Sequence, residues 1–375
     1  MSMAGKDVIL YFVGDVGPKR ENPDSLFQYV RPVLSQGNIA FCQLEPNLSQ
    51  RGTRLPQARL AMRTDPGAAR AISNAGFHVV SFASNHCMDW GSEAFFDTLN
   101  ALQEQNLRVI GAGRNIEEAR RPALFECQGT RIAFLAYNSI LPFGYWAESD
   151  RPGCVPLRAW TVYEQIEHDQ PGTPCRIHTV PHQGDLKAMI QDIRDARSQA
   201  DVVIVSMHWG IHFVPAVIAE YQREIGHTAI DSGADVIIGH HAHILKGIEV
   251  YKGKVIFYSL ANFALEEPRV FAEGSLDGPG HKELKDLYAS PKSGPDLLSP
   301  DTRKTLIAKC TLGTRAIKKV SVLPTVINNE SQPEVLISTD QRFGEVVKYV
   351  EDISKNQGLD ARLVIEGDEV VIHQP

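Results

Sequence analysis

The sequence predicts an α/β fold, and three observations predict it. Short apolar, β-rich runs alternate with amphipathic segments through most of the first 265 residues. Several of those runs are apolar throughout, as strands covered on both faces are. The composition, 43% hydrophobic and 22% charged, is that of an ordinary globular chain, and 375 residues suffice for a large buried core.

The expected strands are Val8–Val13, Ile39–Gln43, Val79–Ala83, Arg108–Ile110, Arg131–Ala136, Val202–His208, Val236–Ile238 and Val255–Ser259. Between them, residues 66–75 read as a helix closed by Gly76 at its C′ position. Ser92–Glu104 sets Phe95, Leu99 and Leu102 on one helical face, and Leu186–Ala196 does the same with Leu186, Met189, Ile190 and Ile193. Two stretches break the rhythm. Residues 140–184 and 265–303 are rich in Pro, Gly and polar residues and read as long excursions, which in compact domains are functional or disordered. Thr305–Leu312 and Lys319–Leu323 then read as a hairpin, followed by a helix near Phe343–Ile353 and a last hairpin turned at Gly367–Asp368. The expected organisation is one main domain over residues 1–328 with an α+β extension over 329–375 packed on it.

Composition also narrows function. A net charge of −7 supplies no basic face for nucleic acid. No stretch approaches the roughly 20 apolar residues of a membrane helix. The apolar run before Gly14–Asp15 lacks a small-residue cleavage site and reads as a strand, not a signal peptide. Six cysteines, scattered without a CxxC pair, fit reduced thiols and a cytoplasmic location.

The chemistry collects where strands stop. The first strand ends in Gly14–Asp15, the second in Glu45, the third in Asn85–His86, the strand VVIVSM in His208, and ADVII in the run GHHAH with His240, His241 and His243. In α/β sheets, ligands bind beyond the carboxyl ends of strands. Each residue alone has a plainer reading: Asp15 as a turn residue, Glu45 as a cap or ion-pair partner, His86 or His208 as a hydrogen-bonded structural histidine. Their joint occurrence at five strand ends points to a divalent-metal centre of oxygen and imidazole ligands, large enough for two ions sharing a carboxylate.

The stretches FVGDVG, CQLEPNLS, GFHVVSFASNHCMDWG, GAGRNIEEA, VSMHWG, SGADVIIGHHAHILKGIEVYKGKVIFYSLANF and VSVLPTVI resemble the poly-γ-glutamate capsule biosynthesis family of the CapA type, a branch similar to the calcineurin-type metallophosphatases. The resemblance implies a four-layer α/β/β/α sandwich holding a dinuclear centre of manganese, iron or zinc between its sheets. It assigns Asp15 to the first ion, Glu45 to the bridge, Asn85 and His208 to the second ion, and His241 and His243 to the second and first ions. His86 would assist the leaving group, with Asp89 orienting its ring. Metallophosphatases often carry Asp-x-His on the first strand. Here Val16 and Gly17 follow Asp15, so the first ion loses a histidine. Gln43, Ser84, Ala242 and Ala261 also depart from the family pattern without removing a ligand.

Arg114, Trp209, His240 and Asn262 are the candidate substrate contacts. Arg114 also stands where Asn115 would cap a helix, and Trp209 and Trp90 either line the pocket or pack over the sheet. His178 and His182 read as lid candidates or solvated loop histidines. The expected function is metal-dependent hydrolysis of a phosphoester or related anionic bond. The alternatives are a component of poly-γ-glutamate or related γ-amide synthesis, acting on a γ-glutamyl substrate, and a scaffold with an idle metal site. Family members of the biosynthetic kind usually carry an N-terminal membrane anchor, and none is read here, which favours a soluble enzyme.

Overall fold

The computed structural model describes residues 7–58, 60–266 and 300–373. Two sheets pack face to face, and alternation along their strands explains why. On the strand Thr130–Asn138, Ile132, Phe134 and Ala136 join the core between the sheets, while Ala133, Leu135 and Tyr137 join a second core outside. Val202–His208 and Val236–His240 divide their side chains in the same way. Phe134 meets Phe12 and Phe41 of the opposite sheet at ring distances of 6.3 and 6.5 Å. The helices Gln183–Gln199 and Glu220–Ser232 cover the outer face of one sheet through Met189, Ile193, Ile225 and Ala229. Ala68–Asn74 and Gly91–Glu104 cover the other. This is the expected four-layer α/β/β/α sandwich.

The larger sheet has ten strands. Val8–Gly17, Ile39–Leu44, Val79–Ser81 and Arg108–Ile110 run parallel, and Asn262–Leu265 lies parallel to the first of them. Lys304–Leu312 and Ile317–Ile327 continue it antiparallel, the hairpin the sequence predicts. Within residues 329–375, Glu369–His373 and Pro333–Val335 pair onto Ile317–Ile327, so these strands extend the sheet itself, and Gln341–Asn356 packs across it. In the six-stranded sheet, Thr130–Asn138, Val202–His208, Val236–His240 and Lys254–Phe257 are parallel. Parallel strands deliver their carboxyl ends to one edge, and both sheets do so on the same side.

Every expected strand and helix is present, with ends shifted by a few residues. The helix Glu220–Ser232 is not among the expected elements, because Gln222 and Gly226 interrupt the apolar pattern of its buried face, Tyr221, Ile225, Ala229 and Ile230. The stretch 140–184 is less irregular than its sequence reads. It carries an antiparallel hairpin, Ala159–Gln165 with Cys175–Pro181. Both faces of that hairpin meet solvent, with Trp160 55% and Tyr163 68% exposed, so it has no inside-outside alternation to detect. Most of the 265–303 stretch lies outside the described residues. No helix among the described residues is long and apolar enough to cross a membrane.

Two glycines hold the carboxyl edge together by close approach. A Cβ on Gly14 would stand 1.9 Å from the Ala261 carbonyl oxygen, and one on Gly239 would stand 2.2 Å from that of Tyr258. Backbone cannot yield there as a side chain would. Gly239→Ala is therefore expected to lose about 1–3 kcal/mol in urea denaturation. Gly344→Ala, in a helix with open space around it, should gain about 0.5–1 kcal/mol.

A candidate metal centre at the carboxyl edge

Asp15 sits where the first strand passes over Ala261, whose carbonyl accepts the Asp15 N–H at 3.0 Å. The Glu45 N–H donates to the Val16 carbonyl at 3.0 Å, which brings the second carboxylate beside the first. From the facing sheet comes His208. Asp15, Glu45 and His208 are fully buried, and each can offer a ligand atom within 4.8 Å of the others'. His208 Nδ1 lies 3.7 Å from Glu45 Oε1, and its Nε2 lies 2.6 Å from Asn85 Oδ1. An N–H at Nε2 donates to that amide oxygen and leaves the Nδ1 lone pair facing Glu45.

The run GHHAH turns back over this cluster. His241 donates its backbone N–H to Asp15 Oδ2 at 3.3 Å, and its ring centre lies 4.9 Å from that of His208. His243 Nδ1 is 3.4 Å from Asp15 Oδ2 and 2.7 Å from Asn262 Oδ1. His241 and His243 have φ of 83° and 56°, left-handed values uncommon outside glycine. The six expected metal ligands are thus gathered at one place.

His86 stands at the rim, with Nε2 3.9 Å from Glu45 Oε2 and Nδ1 2.7 Å from Asp89 Oδ2. Asp89 is itself held: the Met62 N–H donates to Oδ2 at 2.8 Å and the Tyr145 hydroxyl to Oδ1 at 2.9 Å. Asp89 can therefore fix both the tautomer and the orientation of His86.

The substrate candidates fare unevenly. Asn262 is half-buried beside His243. Trp209 is not a pocket residue. It is fully buried in the outer core, stacked on Tyr258 at 5.8 Å and donating its indole N–H to the Tyr258 carbonyl. His240 is also fully buried, facing Asp15 and Phe41, and has no face for a substrate. Arg114 is exposed beside Asn115, which caps the helix Ile116–Ala119 by accepting the Glu118 N–H. Trp90 packs under Arg63. His178 pairs with Glu164 and Glu220, and His182 caps the helix Gln183–Gln199, so neither joins the cluster. Two neighbours escaped the sequence reading. The His212 ring lies against that of His241, tilted by 33° with centres 3.8 Å apart, and Tyr145 comes from the irregular stretch. The spacing of His212, four residues after His208, was the one available signal for it. Tyr145 had none.

The electrostatics suit a cation. Neither Glu45 oxygen accepts a well-formed hydrogen bond, and its charge is eased by the His86 imidazole and then by the nearby Ser84 hydroxyl. Asp15 Oδ1, His208 Nδ1 and His241 Nδ1 are likewise buried without hydrogen-bond partners. Burial, then the charge of Asp15, pushes the Glu45 carboxyl up to about 8. Burial pulls His86 down, but the Asp89 carboxylate beside it prevails and raises it to about 9. Burial and neighbouring imidazoles hold His208 and His241 well below the usual histidine range. Neutral imidazoles and orphaned oxygens are the donors that a borderline divalent ion takes. The residues fit such an ion.

These shifts set a sign for stability without metal. From about pH 7.5 to 9, where the depressed histidines are neutral in both states, folded Glu45 and His86 hold protons that the unfolded chain has lost. More protons on the folded state means stability falls as pH rises. The urea midpoint in chelator is expected to drop across that window. Saturating manganese should reverse the trend, since the ion displaces the Glu45 proton.

The bacterial capsule synthesis protein family PGA_cap matches residues 9–267. The PGA biosynthesis protein CapA of Bacillus subtilis is 30% identical over 266 residues, covering 68% of this chain and 63% of that protein. A probable polyglutamine synthesis accessory protein of Mycobacterium tuberculosis is 29% identical over 264 residues, again 68% and 63%. The chain thus aligns with less than two thirds of the length of these relatives. Among solved structures, the calcineurin-like phosphoesterase YfkN from Bacillus subtilis superposes with a TM-score of 0.41 at 11% identity, covering 94% of this chain and 98% of that one. Because the family match spans residues 9–267, more than half of the chain and every strand end of the cluster, the chain belongs to the PGA_cap family of bacterial capsule synthesis proteins.

Proposed function

We propose that this chain is a metal-dependent hydrolase of a phosphoester or related anionic bond. The observation that carries the reading is the convergence of Asp15, Glu45 and His208 with their buried, unpartnered donor atoms. In this reading Asp15 and His243 would hold one ion and Asn85, His208 and His241 a second, with the Glu45 carboxylate available to both. Bound there, divalent ions supply Lewis acidity and a water acidic enough to ionise near neutrality.

The chain's own residues do the rest. His86, cationic near neutral pH, presents Nε2 as the proton donor to a leaving oxygen. Asp89 accepts from Nδ1 and steadies the ring as that proton departs. Tyr145 and the Met62 N–H keep Asp89 from turning away. Asn262 Oδ1 accepts from His243 Nδ1, which leaves Nε2 as the lone-pair donor of that ring.

A second reading has its own support. The relatives' names concern PGA biosynthesis and polyglutamine synthesis. γ-Glutamyl amide formation passes through acyl phosphates, anionic species that a metal centre of this kind can bind. An ATP-dependent γ-glutamyl product formed with partner proteins, and no turnover of phosphoesters, would favour it.

Metal analysis and a panel of aryl phosphates and phosphodiesters test the first reading. Purified protein is expected to retain manganese, iron or zinc, and Glu45→Gln or His241→Ala to lose it. His208→Ala should abolish turnover, and turnover that survives it unchanged removes the mechanism. His86→Ala should cost about 10²–10⁴-fold in kcat. Tyr145→Phe is expected to slow alkyl phosphates by roughly tenfold and nitrophenyl phosphate far less, because only the poorer leaving group needs the proton.

A further inference from the structure

The first strand continues from Asp15 into Val16 and Gly17, so it offers one side-chain ligand. Val16 is buried in the core between the sheets. Directly across, His240 ends the strand Val236–His240 with its side chain fully out of solvent. Its Nδ1 lies 3.3 Å from Asp15 Oδ1, and Phe41 packs beside the ring at 5.7 Å. Among the described residues, neither ring nitrogen of His240 has a hydrogen-bond partner, and neither does Asp15 Oδ1. Leaving a buried donor or acceptor unmatched is costly. Here three such atoms sit on two neighbouring side chains. A phenylalanine beside Phe41 would avoid that cost, so an imidazole at this position calls for a partner that binds nitrogen and carboxylate together.

We infer that His240 is an additional imidazole ligand of the ion held by Asp15. The inference rests on the metal-centre reading above. It gives that ion two carboxylates, Asp15 and Glu45, and two imidazoles, His243 and His240. Such a mixed set suits zinc, manganese or iron better than magnesium or calcium. It also divides the histidine run between the two ions, with His240 and His243 on the Asp15 side and His241 on the side of His208.

Zinc-loaded crystals of the full chain, with anomalous data at the zinc edge, test this directly. The expected result is a peak within about 2.1 Å of a His240 ring nitrogen that also contacts Asp15. A peak on Asp15 with both His240 nitrogens beyond about 3 Å overturns the inference and leaves the metal centre standing. No peak among Asp15, Glu45 and His208 overturns both. In titration calorimetry, His240→Gln and the better-packing His240→Phe, each checked for folding by circular dichroism, are expected to weaken one zinc step by at least about tenfold. A titration indistinguishable from that of the unsubstituted chain would also sink the assignment.

Discussion

Two carboxylates closed off from water constrain everything at the carboxyl edge. Asp15 and Glu45 are both fully buried, and their close ionisable neighbours are imidazoles. Two bare negative charges in that setting would each cost several kcal/mol. The fold limits the cost in two ways visible in the structure: Glu45 holds its proton to about 8, and His86 stays cationic to about 9. Both are partial answers, because the orphaned oxygens and nitrogens remain. A chain under pressure for stability alone would fill this space with apolar side chains. Keeping the carboxylates makes sense when a cation completes them.

Backbone strain gathers at the same place. His241, His243 and Ala261 all hold left-handed φ values, and each costs on the order of 1 kcal/mol for a residue with a Cβ. Ala261 stands at φ 65°, where a glycine would carry no such penalty. The strain persists because the surroundings over-determine it. Gly14 and Gly239 pass against the carbonyls of Ala261 and Tyr258, so the turns cannot relax without parting the strands. Ligand placement and backbone strain are the same fact seen twice.

Most of this was legible in the sequence because the responsible signals are local. A buried parallel strand shows as an apolar run, and a polar residue immediately after it can only face the sheet's carboxyl edge. That is enough to bring Asp15, Glu45, Asn85, His208, His241 and His243 together without knowing the strand order. Side-chain direction was not legible. His240 and Trp209 follow the same rule in sequence, yet one turns in between the sheets and the other into the outer core. The contacts of Tyr145 and His212 were hidden for a different reason. Both arrive on segments with no periodicity, where position depends on tertiary packing alone.

Exposure sorts the gathered residues into two groups. Asp15, Glu45, His208, His240 and His241 are buried, whereas Asn85, His86, His243 and Asn262 are half-buried along one rim. Ligands that only hold an ion gain from the dry interior, where neutral imidazoles keep their lone pairs and carboxylates bind most strongly. Groups that must meet an exchanging molecule need the rim. His86 is therefore the residue best placed to touch an incoming substrate, and its support reaches it from behind, through Asp89 to Tyr145 and the Met62 backbone. Tyr145 belongs to the irregular stretch after residue 140, so that stretch bears on the site by bracing its rim. Variation there would alter the support of His86 while leaving the buried cluster of Asp15, Glu45, His208, His240 and His241 untouched.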